Sequence, residues 1–189
     1  MASIFDTIRG RAGSTTGHMK KSAQWYRTQV SKLASNITAR QLMRQGKLTT
    51  RPSRGKLSLY AYDPKLKGTL PYYDVFPLVL PLDPIRGGFI GMNFHYLPPL
   101  LRFEMLDKMS RFATDRKFDK KTIFDLNYDD VKRIKIIKPT LKKYLWSHMR
   151  SDFLRVDLDE AAIAIMLPVA RFKKASEAVV WSDSRNKIA

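Results

Sequence analysis

The stretch from residue 57 to 97 limits the fold more than any other, because it carries three β-type runs broken by prolines and glycines. Residues 57–62 (LSLYAY) alternate, which puts Leu57, Leu59 and Ala61 on one face of a strand. Residues 72–82 (YYDVFPLVLPL) are rich in β-formers, but Pro77 and Pro81 have no N–H to give to a ladder. That predicts an edge strand or an irregular extended run. The segments 63–68 and 83–88 carry Asp-Pro and glycine, and read as turns. Residues 89–97 (FIGMNFHYL) make the third strand; Gly91 marks a close approach or a bulge, and Pro98-Pro99 stops the run.

Helical periodicity flanks this region on both sides. Tyr26, Val30, Leu33 and Ile37 recur at 4, 3 and 4, one face of a single helix that Ser22 can cap and Gly46 can end. Leu101, Met105, Met109 and Phe112 predict a helix over about 100–114. Acids at 125–130 followed by bases at 131–138 suit a short helix dipole, although Ile134, Ile136 and Ile137 also allow a strand. Pro139 fits a first helical position, with Leu141, Leu145 and Met149 following at spacing 4. Asp157 and Glu160 make a capping box for a helix over 158–167, which Pro168 ends. Residues 179–189 are a polar, basic tail, and there is no internal repeat. The pattern predicts an α+β fold: a small, irregular, mostly antiparallel sheet over about 57–97, packed with helices and preceded by a basic helical arm. The expected division is an arm at 1–56 and a compact domain at 57–189.

Charge is distributed unevenly along that division. The 189 residues carry 35 Lys and Arg against 17 Asp and Glu, a formal net charge of +18. Residues 1–56 hold twelve bases against Asp6 alone; residues 57–130 hold ten of each; residues 131–189 hold thirteen bases and six acids. The surplus lies at both ends. Such a distribution points to a polyanionic partner and says nothing about fold. The candidate contacts are Lys20, Lys21, Arg27, Arg40, Arg44, Lys47, Arg51 and Arg54 in the arm, and Lys132, Arg133, Lys135, Lys138, Lys142 and Lys143 near the other end. No zinc finger, basic zipper or RNP motif is present, so DNA binding is expected to depend only weakly on sequence.

The arm also has apolar material. Residues 10–17 (GRAGSTTG) read as a flexible linker and 49–56 (TTRPSRGK) as a second, basic one. Ahead of the first, Ile4, Phe5 and Ile8 form a face too short to hold a helix alone, which suggests ordering on a partner. Together with Tyr26, Val30, Leu33 and Ile37 they are the candidate partner-docking residues.

Other chemistry is narrowed by absence. With no cysteine, disulfides, thiolate zinc sites, iron–sulfur clusters and cysteine nucleophiles are excluded. No apolar run approaches the roughly 18–20 residues that cross a bilayer, and the N-terminus lacks a secretory-type apolar stretch; no membrane role is expected. His18, His95 and His148 share no ligand spacing, and His95 is expected in a strand with a satisfied ring nitrogen. Gly87-Gly88-Phe89-Ile90-Gly91 lacks the third glycine and the following helix of a dinucleotide site. A metal-dependent nuclease would need Asp63, Asp74, Asp83, Glu104 or Asp107 to cluster. Asp63-Pro64 and Asp83-Pro84 instead start turns, and Asp107 with Arg111 makes a surface pair at i,i+4. No catalytic residue, metal or cofactor is assigned. The aromatics Tyr60, Tyr62, Tyr72, Tyr73, Phe76, Phe89, Phe94 and Tyr96 could stack bases, but the segment has no net charge, which favours core packing and protein contact.

Several runs resemble a known family. Tyr62-Asp63-Pro64-Lys65, Thr69-Leu70-Pro71-Tyr72-Tyr73-Asp74, Phe76-Pro77-Leu78-Val79, residues 93–99 (NFHYLPP) and residues 180–185 (VWSDSR) are similar to virion-associated proteins of T4-like contractile-tailed bacteriophages. Some members are similar to proteins labelled DNA end protector. The resemblance covers about residues 57–189 and leaves the arm outside it. It implies a non-enzymatic structural protein of the virion, made in the host cytoplasm, with other virion proteins and DNA as partners. The alternatives are a purely architectural tail, baseplate or neck subunit that never meets DNA, and a DNA-processing nuclease.

Overall fold

The computed structural model describes residues 5, 23–34, 36–117 and 119–189. The arm begins there with two helices, α1 (Ala23–Ala34) and α2 (Ala39–Gln45), where periodicity predicts one. Thr38 makes the break. Its side chain accepts the Gln41 N–H at 3.2 Å, and the Gln41 side chain accepts the Thr38 N–H at 2.8 Å. This capping box restarts the helix after the chain has turned. Tyr26 and Val30 are buried, Ile37 packs beside them, and α1 rests on the helices of the body. The apolar stripe expected to dock on a partner therefore covers this chain's own core. Phe5 is buried in that core as well. Burying apolar surface is favourable wherever a partner surface lies, and the nearest one is intramolecular.

The strands that follow are β1 (Leu48–Thr49), β2 (Leu57–Leu59), β3 (Tyr73–Asp74), β4 (Leu78–Ile85) and β5 (Gly88–Asn93). After α3 (Pro99–Met109) and the short α4 (Tyr128–Val131) come β6 (Leu141–Leu145), β7 (Phe153–Val156), α5 (Leu158–Ala164), β8 (Phe172–Lys173) and α6 (Glu177–Ile188). Six strands form one antiparallel sheet in the order β1-β7-β2-β4-β5-β6, and β3 pairs with β8 apart from it. The α+β class is as expected, but the sheet recruits three strands from outside 57–97.

Proline placement in β4 follows its pairing. β2 covers β4 only at Ser58↔Val79 and Leu59↔Leu78, whereas β5 runs beside it from Val79↔Asn93 to Ile85↔Gly88. Pro81 and Pro84 lie beyond β2, where β4 has a free edge and a missing N–H breaks no ladder bond on that side. The register shifts between them. β4 is thus central at one end and an edge at the other.

β6 replaces the helix predicted from Pro139. Residues 141, 145 and 149 are four apart, a spacing shared by period 2 and by the helical period, so the pattern is ambiguous. Pairing decides it: five register pairs join β6 to β5, from Gly88↔Leu145 to Met92↔Leu141. Pro139 ends up inside a 3-10 turn over Lys135–Thr140. The third predicted strand is also shortened. Asn93 accepts the His95 N–H at 3.0 Å and turns Phe94–Tyr96 into a 3-10 helix. The basic tail is α6, with Ser176 at its N-cap.

The two faces of the sheet bury different chemistry. Leu57, Leu59, Leu78, Leu80, Met92, Leu154 and Val156 meet the helices in the main core. Tyr60, Tyr62, Val79, Phe89, Tyr144 and Phe153 form an aromatic layer on the other face, with Tyr60 and Phe153 4.8 Å apart. Burial makes Tyr60, Phe89 and Phe153 packing residues, while Tyr62 and Tyr144 pack there and also line a cavity. Strand approach at β5 leaves no room for side chains at two glycines. A Cβ on Gly88 would fall onto the Tyr144 backbone carbonyl, and one on Gly91 onto the Val79 side chain. Gly88→Ala is therefore expected to destabilise by about 1–3 kcal/mol, because backbone cannot yield as a side-chain tip can. An unchanged urea midpoint for this variant would refute the contact.

Candidate nucleic-acid interface

The predicted basic residues fall into two groups. In the arm, Arg27, Arg40, Arg44 and Arg51 are exposed and have no ion pair among the described residues. Lys47 reaches Asp157 at 3.3 Å, and Arg54 reaches Asp125 at 3.7 Å across an exposed gap, where an ion pair contributes little. Lys20, Lys21, Ile4, Ile8 and the Leu33 side chain lie outside the described residues.

The second group is gathered by tertiary packing. The turn over Lys135–Thr140 packs on α6, so Arg185 and Lys187 join Lys132, Arg133, Lys135, Lys138, Lys142 and Lys143. Lys132 pairs with Asp129 and Lys135 donates to the Ala189 carbonyl at 3.2 Å, while Arg133, Lys138 and Lys143 stay exposed.

Lys142 is different from the others. It lies at the wall of a cavity of about 420 Å³ lined by Tyr62, Pro64, Lys65, Leu66, Leu70, Pro71, Tyr72, Tyr73, Asp74, Asn93, Tyr96, Lys143, Tyr144 and Lys187. Its Nζ sits 4.0 Å over the Tyr96 ring, a cation–π contact. No carboxylate pairs with it among the described residues. Burial, reinforced by the nearby Lys187 charge, pushes its ammonium down to about 8. Burial also raises the Tyr62, Tyr72, Tyr96 and Tyr144 hydroxyls, Tyr72 to about 12 with help from Asp183. The cavity thus presents neutral phenols, the Asp74 carboxylate and ammonium groups that no carboxylate pairs with directly among the described residues. Three of the runs that carry the resemblance, at 62–65, 69–74 and 93–96, meet at its walls.

A buried polar assembly holds those walls. The Asp74 carboxylate accepts from Phe76 N–H at 3.0 Å, Arg171 N–H at 3.2 Å and Asn93 Nδ2 at 3.2 Å, and lies 2.8 Å from His95 Nδ1. Burial holds His95 below its ordinary pKa, outweighing the pull of Asp74, so Nδ1–H donates from a neutral ring. One ring nitrogen is satisfied, as expected, while Nε2 has no partner among the described residues; the residue is in a 3-10 turn and not in the predicted strand. The Arg102 guanidinium, pushed down to about 10 by burial, donates to Leu97, Ile165 and His95 carbonyls. Trp181 of α6 donates to the same His95 carbonyl at 2.9 Å and lies against Arg102. These bonds fix α6, and with it Lys187, relative to the 93–97 turn.

The carboxylates that a nuclease would need are not assembled. Asp63 pairs with Lys67 at 2.9 Å and Arg150 at 3.4 Å, and Asp83 accepts the Tyr128 N–H at 2.6 Å. Glu104 pairs with Lys108 at 2.8 Å, in place of the expected Asp107–Arg111 pair. Among the described residues the close carboxylate group is Asp157, Asp159 and Glu160. Asp157 is already surrounded by Lys56 at 2.9 Å, Arg155 at 3.2 Å and Lys47. Burial alone would raise its carboxyl, but those cations outweigh it and hold it below the usual range.

Sequence reasoning found Lys142 and Lys143 but missed Lys65, Lys187 and the tyrosines as one site. The available signal was that lysine and tyrosine recur together in the 62–73 run; what joins that run to β6 and α6 is tertiary.

A basic surface beside an aromatic, lysine-rimmed cavity presents the kinds of group, cations and ring faces, that attract phosphates and bases. The chain matches the family described as phage T4 terminal DNA protecting protein over residues 2–184, and it belongs to that family. The match takes in the basic arm, which the resemblance read from the sequence had left out. No curated protein and no solved structure matches the chain.

Proposed function

We propose that this protein is a non-enzymatic DNA-end protector carried in the phage particle. It binds the ends of linear duplex DNA with little dependence on sequence and covers them against nucleases. The observation that carries this reading is the set of exposed cations without acidic partners among the described residues, at α1–α2 and at 133–143 with α6, in a member of a terminal DNA protecting family. Unpaired lysines and arginines displace condensed counterions from phosphates, which drives association without reading bases. Asp63, Asp83 and Glu104 are separated and each is bound to a protein partner, and Asp157 of the one close carboxylate group among the described residues is taken up by Lys47, Lys56 and Arg155, which supports a binding role over a hydrolytic one. The body at 57–189 is the part suited to docking on other virion proteins. The architectural alternative loses its main support, because Tyr26 and Val30 pack on the chain's own core.

Digestion of linear DNA by a double-strand exonuclease is the direct test. Prior addition of saturating protein should leave the linear DNA full length, while an endonuclease should still cut bound circles. Equal exonuclease digestion with and without protein would overturn the reading. Cleavage of DNA by the protein with Mg²⁺, lost on Asp63→Ala, Asp74→Ala or Glu104→Ala, would make it an enzyme instead.

A further inference from the structure

Exposed bases hold a duplex anywhere along its length, because phosphate contacts say nothing about position. A protein that guards ends needs a feature that recognises what only an end offers. Interior nucleotides are stacked and paired on both sides; a terminal nucleotide can leave the stack at small cost. We propose that the cavity between the 62–73 run, β6 and α6 receives the terminal nucleotide of a DNA strand, with its base on the tyrosine wall and its phosphate between Lys142 and Lys187. This rests on the end-protecting reading and supplies the selectivity that the basic surfaces lack.

Several features fit that occupant. The volume, about 420 Å³, falls in the range of small-ligand pockets. Tyr62, Tyr72 and Tyr73 supply ring surface for a base, and any base has a π-face. Lys142 and Lys187 both line the cavity, the Lys187 charge helps to hold Lys142 down, and among the described residues no carboxylate pairs with either. The Asp74 carboxylate, which also lines the cavity, is already bound by His95, Asn93 and two backbone N–H groups. A phosphate placed between the two ammonium groups would remove the repulsion. The depressed Lys142 agrees with a site built for an anion, since a bound phosphate restores its proton. His95 and Arg102 hold the wall, not the nucleotide.

The test compares forms of one short duplex by fluorescence anisotropy with the full-length protein. One form has two open ends, with a phosphate on the 5′ or the 3′ terminus or on neither; the other is closed at both ends by hairpin loops. Wild type should bind the open, phosphorylated form about tenfold more tightly than the closed one, and the 5′ and 3′ arms tell which terminus enters. Lys142→Gln and Lys187→Gln should each bring that ratio to about one, by weakening binding of the open, phosphorylated form about tenfold more than binding of the closed one. Lys142→Arg should retain the preference. Between pH 7 and 9 the wild-type preference should fall by up to about tenfold as Lys142 loses its proton, because the neighbouring phenols stay protonated there; Lys142→Arg should show no such fall. Lys187 is exposed on a helix end, so its variant reports even where a Lys142 variant fails to fold. Equal wild-type affinity for open and closed duplexes would sink the pocket while leaving DNA binding intact. Equal losses on both forms in the Gln variants would reduce the pocket to more basic surface. No binding to any form would remove the DNA reading and the pocket with it.

Discussion

Raising monovalent salt from 50 to 300 mM should weaken binding to linear duplex DNA by about four orders of magnitude. The magnitude follows from counterion release at about −0.9 in the log–log slope per neutralised phosphate, with about six phosphates engaged. The structure supplies enough free cations for that number: Arg27, Arg40, Arg44 and Arg51 on one part, Arg133, Lys138 and Lys143 on another. Those already paired, such as Lys47, Lys56 and Lys132, exchange one anion for another and should contribute less. Replacing Arg27, Arg40 and Arg44 with Gln should lower the slope by about three without changing which ends are preferred. Filter retention across a salt series measures both quantities. Circular DNA should show the same slope as linear DNA, because the slope belongs to phosphates and not to termini. Retention that stays flat from 50 to 300 mM would defeat the charge mechanism.

How far the fold could be read from the sequence depended on whether the signal was local. Leu57 and Leu59 and the close approach at Gly91 are local, and they stand where the pattern puts them; the turn read over 83–88 narrows to Arg86-Gly87, because Asp83 and Pro84 continue β4 in pairing with β5. The Asp157–Glu160 helix start is local too, with the Asp157 N–H donated to the Glu160 carboxylate at 3.2 Å. The strand β6 was not legible, because Leu141, Leu145 and Met149 satisfy both periods and only pairing with β5 separates them. The helical stripe of Tyr26 and Val30 was legible as a buried face, but periodicity cannot say whose core it enters. The candidate pocket was legible only in pieces. Tyr62 and Lys65 lie in one run, Tyr96 in another, and Lys142 and Lys187 are 45 residues apart in number. Asp74, His95 and Arg102, which bring those pieces together, look like isolated polar residues until the fold pairs them.

Asp157→Ala should destabilise the protein by about 3–5 kcal/mol, since removing one member of a buried charge cluster leaves its partners uncompensated. The carboxylate is 1 % exposed and accepts from Lys56 and Lys47 while Arg155 lies 3.2 Å away. Lys56 is the partner that suffers most: its side chain is 11 % exposed, and among the described residues the Lys120 carbonyl would be its only other acceptor. The sequence offers no acid between Asp6 and Asp63, so the arm can neutralise a buried cation only through a distant carboxylate. Asp157 is that carboxylate, and it ties Lys47 and Lys56 of the arm to the start of α5. Asp157→Asn should cost less, because it keeps the acceptor oxygen while losing the charge. The sign of the pH dependence follows from a carboxyl held below its usual value in the folded state. Its contribution is complete above the unfolded value of about 4 and is lost as pH falls through the folded one. The gap between wild type and Asp157→Ala in urea midpoint should therefore be widest near neutral pH and should close in acid. A variant with the wild-type midpoint at neutral pH would mean that the three cations are satisfied by solvent, and that the arm does not depend on this carboxylate for its attachment.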